Sequence, residues 1–588
     1  MMKTSILKTT KLEHIDCISP GKKSACGIQV PKIRSPSKIM TLSRLGSSFP
    51  SRLSFMRILI RRLIQERPKL KILSKDLDQL GHGTMVLSLS IANKPYSLIG
   101  YTQALNPDER TDRVIATKWD ASFCLFNGVP SENQIRTLEK QVTTQEAGRF
   151  DANVLTLSRA NKSVRLFNHV LEQLASGQQP HSRKLLKTGY LMRTTAVYGN
   201  GKFGIADRGI ILNQPGLEGP FQVEMLTVFL IREFTFLLVE HCAKKLGTGK
   251  EVKLANNLKR FLGIGNSTGL GMAPFLVNHP CLLHSWVMAK EIALGRSLSL
   301  KTITKEQKKR LFKLMERAKK HIIEWEVEDL IQMDRIMKIR EELVILECKI
   351  KVSDLTIPFP LQYFFDQTEN LSNETQELIV SILIELIPEQ VDGLVPCLAN
   401  PYDPKLIPEM SLSALKNILD TEYEWVSKII LKKGKSDSLF WYTSQEKLEP
   451  RIGKRYEEPG SELEMPFNIR KYVNELDQAL IKYDKPEESV AEFLLNHPNL
   501  RHIIRRVQNT KKYPYSEIRD NLVDENSRPI DLLRFKLAFF GASKFDPKSD
   551  RWTRITLFQG APISSDISTT AQKSKTSLDD WIFATLPS

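Results

Sequence analysis

Apolar residues recur every three or four positions through most of this chain, and that spacing predicts helices. From Ser51 to Glu66, Leu53, Met56, Ile60, Leu63 and Ile64 share one side, while Arg52, Arg57, Arg61 and Arg62 occupy the other. Ser51 stands where a cap belongs. Leu166, Val170, Leu171 and Leu174 mark one face of a second helix. Pro130-Ser131-Glu132 and Asn106-Pro107-Asp108-Glu109 read as helix starts, and Asn373 with Gln376 opens a helix that runs through Leu386 and stops at Pro388. Residues 305–350 sustain no heptad, so they predict one or two bundle helices rather than a coiled coil. The longest apolar run, Met225 to Val239, is broken by Arg232-Glu233. It falls short of the roughly 20 apolar residues of a membrane span and reads as a core helix with a polar stripe.

Alternation with period two is rarer. Met85–Ile91, a turn at Asn93-Lys94-Pro95, and Tyr96–Tyr101 predict a β-hairpin within residues 84–102. Leu439–Thr443 and Thr553–Phe558 are short strand candidates. The expected fold is therefore mainly α: helical bundle domains, a small α+β element holding the hairpin, and a mixed α/β C-terminal segment. The expected divisions are a disordered basic extension (1–39), a small α+β unit (40–130), a helical domain (131–350), a helical segment (351–434), a mixed C-terminal domain (435–560) and a polar tail (561–588).

Charge changes this picture only at one end. Of the formal net charge of +18, residues 1–72 carry +13 and the rest of the chain +5. A whole-body phosphate-binding face is not implied. The first residues are rich in Lys, Ser and Thr, as a transit peptide would be; the plainer expectation is that translation starts at Met40, just before the first pattern resembling structure. A nucleic acid or membrane surface would be met through this arm and the basic helix face; the competing account of residues 51–66 is a docked helix with a solvated basic side. The seven cysteines form no Cys-x-x-Cys pair and sit mostly in apolar stretches, which points to reduced thiols and to a cytoplasmic protein without a cysteine zinc site. Asp76, Asp78 and His82 lack the repeated spacing of a metal site, and no cofactor is indicated.

Two glycine-rich segments carry the candidate chemistry. In Arg193–Gly204, three glycines within six residues let backbone amides approach a ligand, with Arg193, Thr194, Gly199, Gly201 and Lys202 as binding groups. It is not a P-loop, because Ala196 and Phe203 stand where that motif needs Gly and Ser or Thr. Its Gly199-Asn200-Gly201-Lys202-Phe203 core resembles a segment in the helical domain of 6-phosphogluconate dehydrogenases. The likeness spans these residues only and transfers no site residue. In Gly263–Gly271, residues 265–269 match Gly-x-Ser-x-Gly with Ser267 as nucleophile, but that elbow needs a strand before and a helix after it. As an anion site the same stretch offers Asn266, Ser267 and Thr268 as donors. Glycine is costly inside helical domains, so two such clusters point to one shared pocket for a phosphate- or carboxylate-bearing metabolite, with His279 or His284 as general acid or base. Solvated turns between helices are the plainer account of both. A third segment, Lys544–Arg554, alternates charges around Trp552 and could meet nucleic acid or a phosphorylated ligand, but its two Asp residues cancel the field, so it reads as an exposed turn leading into a strand. Finally, Phe275–His284 and Phe493–His502 repeat a Phe-Leu-x-Asn-His-Pro-x-Leu-x-His pattern, which predicts one helix-junction solution used twice, or two His-bearing sites. Three readings stand: an enzyme or binding protein for a small anion, a polyanion- or membrane-associated protein, and a helical interaction scaffold.

Overall fold

The computed structural model describes residues 33–109, 118–144, 151–199, 214–269, 280–352, 355–399, 405–424, 439–444, 450–454, 462–464, 469–519, 529–549, 552–569 and 581–587. Its strands are β1 (Lys71–Leu77), β2 (Gly83–Ile91), β3 (Lys94–Thr102), β4 (Ala121–Asn127), β5 (Val154–Lys162), β6 (Tyr190–Gly199) and β7 (Gly263–Gly269). They continue with β8 (Leu439–Ser444), β9 (Pro450–Lys454), β10 (Glu462–Glu464), β11 (Lys544–Ser549) and β12 (Trp552–Leu557). Nine of them form a single sheet in the order β1-β2-β3-β4-β5-β6-β7-β12-β11. Neighbours are antiparallel except β6 and β7, which run parallel.

This overturns the mainly α expectation: the fold is α/β, built on a large mixed sheet. The hairpin at 84–102 is present as β2 and β3. Of the strands that periodicity misses, β4 is buried on both faces, while β1 is an exposed edge strand. Ala121-Ser-Phe-Cys-Leu-Phe is buried throughout, so it shows no alternation to read. By sequence β7 is a glycine-rich loop. It is a strand because β6 and β12 supply its hydrogen bonds from far along the chain. Its glycines permit close approach: a Cβ on Gly263 would stand 2.2 Å from the Leu557 carbonyl, and one on Gly265 would stand 2.7 Å from the Tyr190 ring.

The helices that matter below are α1 (Phe55–Glu66), α2 (Glu132–Thr144), α3 (Gln222–Leu246), α4 (Pro280–Leu298), α5 (Lys305–Ile323), α6 (Leu330–Val352) and α7 (Asn373–Ile384). After them come α8 (Leu412–Glu422), α9 (Ile469–Lys482), α10 (Val490–Asn496), α11 (Arg501–Thr510) and α12 (Pro529–Phe540). α3 contains the predicted core helix and packs across β3 to β7, burying Leu226, Phe229, Leu230 and Phe234. Its polar stripe is stapled. Arg232 is fully buried and donates to the carbonyls of Lys259, Arg260, Leu262, Ala561 and Pro562. α2 covers the opposite face over β3 and β4, closing a smaller core around Val86, Ile99, Cys124 and Leu138. α5 and α6 resolve the 305–350 stretch into two helices, the first opened by a reciprocal Thr304–Gln307 capping box.

The N-terminal arm meets α4 and α7 through buried ion pairs. Arg34 forks onto Glu291 (2.7 and 2.9 Å) and reaches Glu377 (2.7 Å). Ile39 and Met40 are buried, so residues 33–39 belong to the fold and not to an extension. Of the basic side read from 51–66, Arg62 stays part-exposed beside Glu66 and Glu218, and the other arginines are buried. Arg57 pairs with Glu385, and Arg52 and Arg61 pair with Asp392. At the other end Trp581, Ile582 and Phe583 are buried, so the expected polar tail returns to the core. Residues of α8, α9, α10 and α11 form a separate helical core around Leu415, Leu476, Phe493 and Ile503, and β8 to β10 make a small antiparallel sheet.

Candidate functional site

The parallel pairing of β6 with β7 brings the two glycine-bearing segments side by side. Arg193 is in register with Gly265, and Thr194 with Asn266. The register continues outward from Gly265 to Thr556 and Lys544, and from Ser267 to Arg554 and Asp546. The Lys544–Arg554 segment, read from sequence as an exposed turn, is thus the β11–β12 hairpin lying beside the glycine strand. Because strand side chains alternate, Lys544, Asp546, Arg554 and Thr556 share one face, while Phe545 and Ile555 enter the core on the other.

These residues wall a narrow cleft of about 40 Å³, partly open to solvent. Arg165, Lys187 and Tyr190 complete one side, and Trp325 and Glu326 the other. Four cations thus meet two carboxylates. The Arg165 guanidinium donates to the Tyr190 hydroxyl (3.0 Å), and Lys544 Nζ donates to the Leu186 carbonyl (2.7 Å). Burial pushes the Lys544 ammonium down to about 8, against the opposing pull of Glu324, Glu326 and Asp546. Trp325 is buried and ties its turn to β11 through Nε1 and the Phe545 carbonyl (3.3 Å). Small anions suit such a place: a concave site, a cationic excess and a lysine able to change charge near neutrality.

The residues singled out from sequence divide into three groups. Arg193 is fully buried and not on the cleft wall. Thr194 and Asn266 serve the strand pair: Asn266 Nδ2 donates to the Thr194 hydroxyl (3.2 Å) and carbonyl (3.4 Å). Ser267 and Thr268 lie within β7, and Gly199 ends β6. Ser267 is therefore mid-strand, in register with Arg554, and not at the strand–turn–helix elbow of a nucleophile. Gly201, Lys202 and His279 lie outside the described residues.

His284 is elsewhere. It is buried on α4 between Tyr513 and Tyr515, and its Nδ1 accepts from the Tyr515 amide (3.1 Å). Burial lowers it to about 4, so it is neutral at physiological pH and is no general acid there. Its counterpart His502 packs edge-on against Tyr472, with ring centroids 4.4 Å apart. Pro280 opens α4, whereas Pro498 opens a short 3-10 turn before α11; residues 275–279 of the first repeat lie outside the described residues.

Asp78 accepts from the amides of Leu80 and His82, which makes it a turn cap. Among the described residues no His, Cys, Asp or Glu cluster is arranged to hold a metal ion, and no helix is long and apolar enough to cross a membrane. The groups that sequence reasoning missed are Arg165 and Tyr190; Lys544, Asp546 and Arg554 lie in the segment it weighed as a ligand site and set aside as an exposed turn. The alternation Lys544-x-Asp546 and Arg554-x-Thr556 was a period-two signal in plain view, but nothing local placed it beside β7. Comparison with protein families, with curated proteins and with solved structures gave no match to this chain.

Proposed function

We propose that this chain binds a small anionic molecule, through its phosphate or carboxylate group, in the cleft formed by Tyr190, the β11–β12 hairpin and the Trp325 turn. The observation that carries the reading is the convergence of Arg165, Lys187, Lys544 and Arg554 on one concave site beside β7, where Gly265 and Ser267 stand in register with Thr556 and Arg554. The cleft suits one anionic group held by charge-assisted hydrogen bonds. Lys544 supplies proton linkage. An anion beside it favours the ammonium, so ligand uptake draws a proton when the pH is above about 8.

A thermal-shift screen of the full chain against inorganic phosphate, phosphorylated sugars, nucleotides and carboxylic acids tests this. A ligand at a hundred times its Kd adds about 2.7 kcal/mol of stability. The expected result is a hit that disappears in Arg554→Met and in Lys544→Met while both variants keep a cooperative melt. A flat screen, or a hit untouched by either replacement, would overturn the assignment.

The arm-and-helix reading loses its helix, because Arg52, Arg57 and Arg61 are committed to Asp392 and Glu385. The scaffold reading asks for an exposed apolar surface, and α6 presents one.

A further inference from the structure

Lys544, Thr556 and Gly265 stand in register on β11, β12 and β7, so they present one face of the sheet. The Tyr190 ring fills the space that a side chain at 265 would take, since a Cβ there would stand 2.7 Å from it. Tyr190, Leu186 and Trp325 give the cleft largely nonpolar walls beside Lys544. Lys544 Nζ donates to the Leu186 carbonyl (2.7 Å), and among the described residues no carboxylate forms an ion pair with it. Lys187, on the same cleft, is exposed.

A cleft that only attracted an anion would gain nothing from a partly dehydrated lysine. Arg165 and Arg554 already supply charge that no ordinary pH removes, and their forked donors match a carboxylate. What dehydration provides is a neutral amine. With burial bringing Lys544 down to about 8, roughly half of it is neutral at pH 8, against well under about 1% of a solvated lysine. The hydrogen bond to Leu186 uses one N–H and leaves the nitrogen lone pair for attack. Size restricts the partner. A water takes roughly 10–15 Å³ of such space, so the cleft of about 40 Å³ holds the equivalent of about three waters: a carboxylate with very few further carbons.

We propose that Lys544 is a nucleophile that condenses with the carbonyl group of a small 2-oxo acid, whose carboxylate is held by Arg554 and Arg165. This rests on the anion-binding reading and names its substrate class. The nitrogen lone pair forms the N–C bond while the carbonyl π pair moves to oxygen. One amine proton passes to that oxygen and gives a carbinolamine. A proton from solvent, at the open side of the cleft, lets the oxygen leave as water, and the nitrogen lone pair closes a protonated C=N bond. Nothing is oxidised or reduced. The fields of Glu326 and Asp546 that favour the ammonium favour this cation as well.

The test treats the full chain with pyruvate and sodium cyanoborohydride, which reduces the imine to a stable carboxyethyl-lysine, and locates the product by peptide mass spectrometry. The expected result is modification at Lys544 about tenfold or more faster than at exposed lysines. That excess should shrink with acetaldehyde, which has the carbonyl and no carboxylate, and in Arg554→Met. An excess unchanged by both means that the cleft holds no carboxylate, and overturns the inference. Thermal shift with lactate and with phosphate, which carry the anion and no carbonyl, separates this inference from the reading beneath it. If either stabilises the chain while pyruvate is trapped at Lys544 no faster than at exposed lysines, the cleft binds anions and the inference alone is overturned. If neither stabilises it and no preference for Lys544 is seen, both fall.

Discussion

A chain beginning at Met40 should be severely destabilised relative to one beginning at Ile33, although Met40 is where hydrophobic patterning becomes visible. The cause is Arg34. Its guanidinium makes both hydrogen bonds to the Glu291 carboxylate and a third to Glu377. Glu291 has a side chain 0% exposed and, among the described residues, no other hydrogen-bonding partner. Glu377 is better protected, because Lys290 and Arg44 also reach it. Removing Arg34 therefore strands one buried carboxylate. Breaking a buried ion pair from one side costs about 3–5 kcal/mol. The Tyr515 hydroxyl also loses its acceptor, the Arg34 carbonyl (2.5 Å), for roughly another 1 kcal/mol. The sum is a large part of the roughly 5–15 kcal/mol that holds a typical domain together. Arg34→Met isolates the side chain without shortening the chain. Urea unfolding at neutral pH should show the loss as a lower midpoint at unchanged slope. Pairing Arg34→Met with Glu291→Gln should recover about 2 kcal/mol or more of it, because the stranded charge is gone. If Arg34→Met unfolds within about 1 kcal/mol of the native chain, Arg34 does not neutralise Glu291 and the account of the N-terminal segment is wrong.

Arg232→Met should destabilise by roughly 3–5 kcal/mol in the same assay, since five backbone carbonyls lose one charged donor and those of Leu262, Ala561 and Pro562 are buried from water. Gly265→Val should lower the melting temperature and remove anion binding together, because the added Cβ meets the Tyr190 ring at 2.7 Å; unchanged binding would separate β7 from the cleft. Burial lowers His284 and His321 to about 4 in the folded chain, so between pH 6.5 and 4 the unfolded chain binds protons that the folded one refuses. Stability is then present above pH 6.5 and falls as the pH drops through that window, by at most about 3 kcal/mol per histidine; His321→Phe should flatten the fall, and an equally steep profile would count against it. Lys544 acts with the same sign at the alkaline end: below about 8 its charge is held at a cost, and that cost fades as the pH rises toward 10.5, so the melting temperature of Lys544→Met should lack this rise.

Much of the secondary structure was legible from the chain itself. The period of Leu166, Val170 and Leu174, the Ser131–Gln134 start of α2 and the Thr304–Gln307 box are local signals, and local hydrogen bonds satisfy them. So was the hairpin of β2 and β3, which is closed by its own turn. The Arg232-Glu233 interruption correctly marked a core helix. What the chain could not show was which segments pair at a distance. Gly263–Gly269 has poor strand propensity, and only β6 and β12, from far along the chain on either side, make it a strand. The Arg residues of α1 give a solvated face by periodicity alone; Glu385 and Asp392, more than 300 residues onward, bury them. The cleft has the same origin. Arg165, Tyr190, Lys544 and Arg554 carry no common motif, because sheet register rather than sequence spacing brings them together. Local pattern determined the helices and the first hairpin, since their hydrogen bonds close within a few residues. Tertiary structure decided the sheet, the fate of the basic arm and the cation-lined cleft, since each depends on partners that only folding brings within reach.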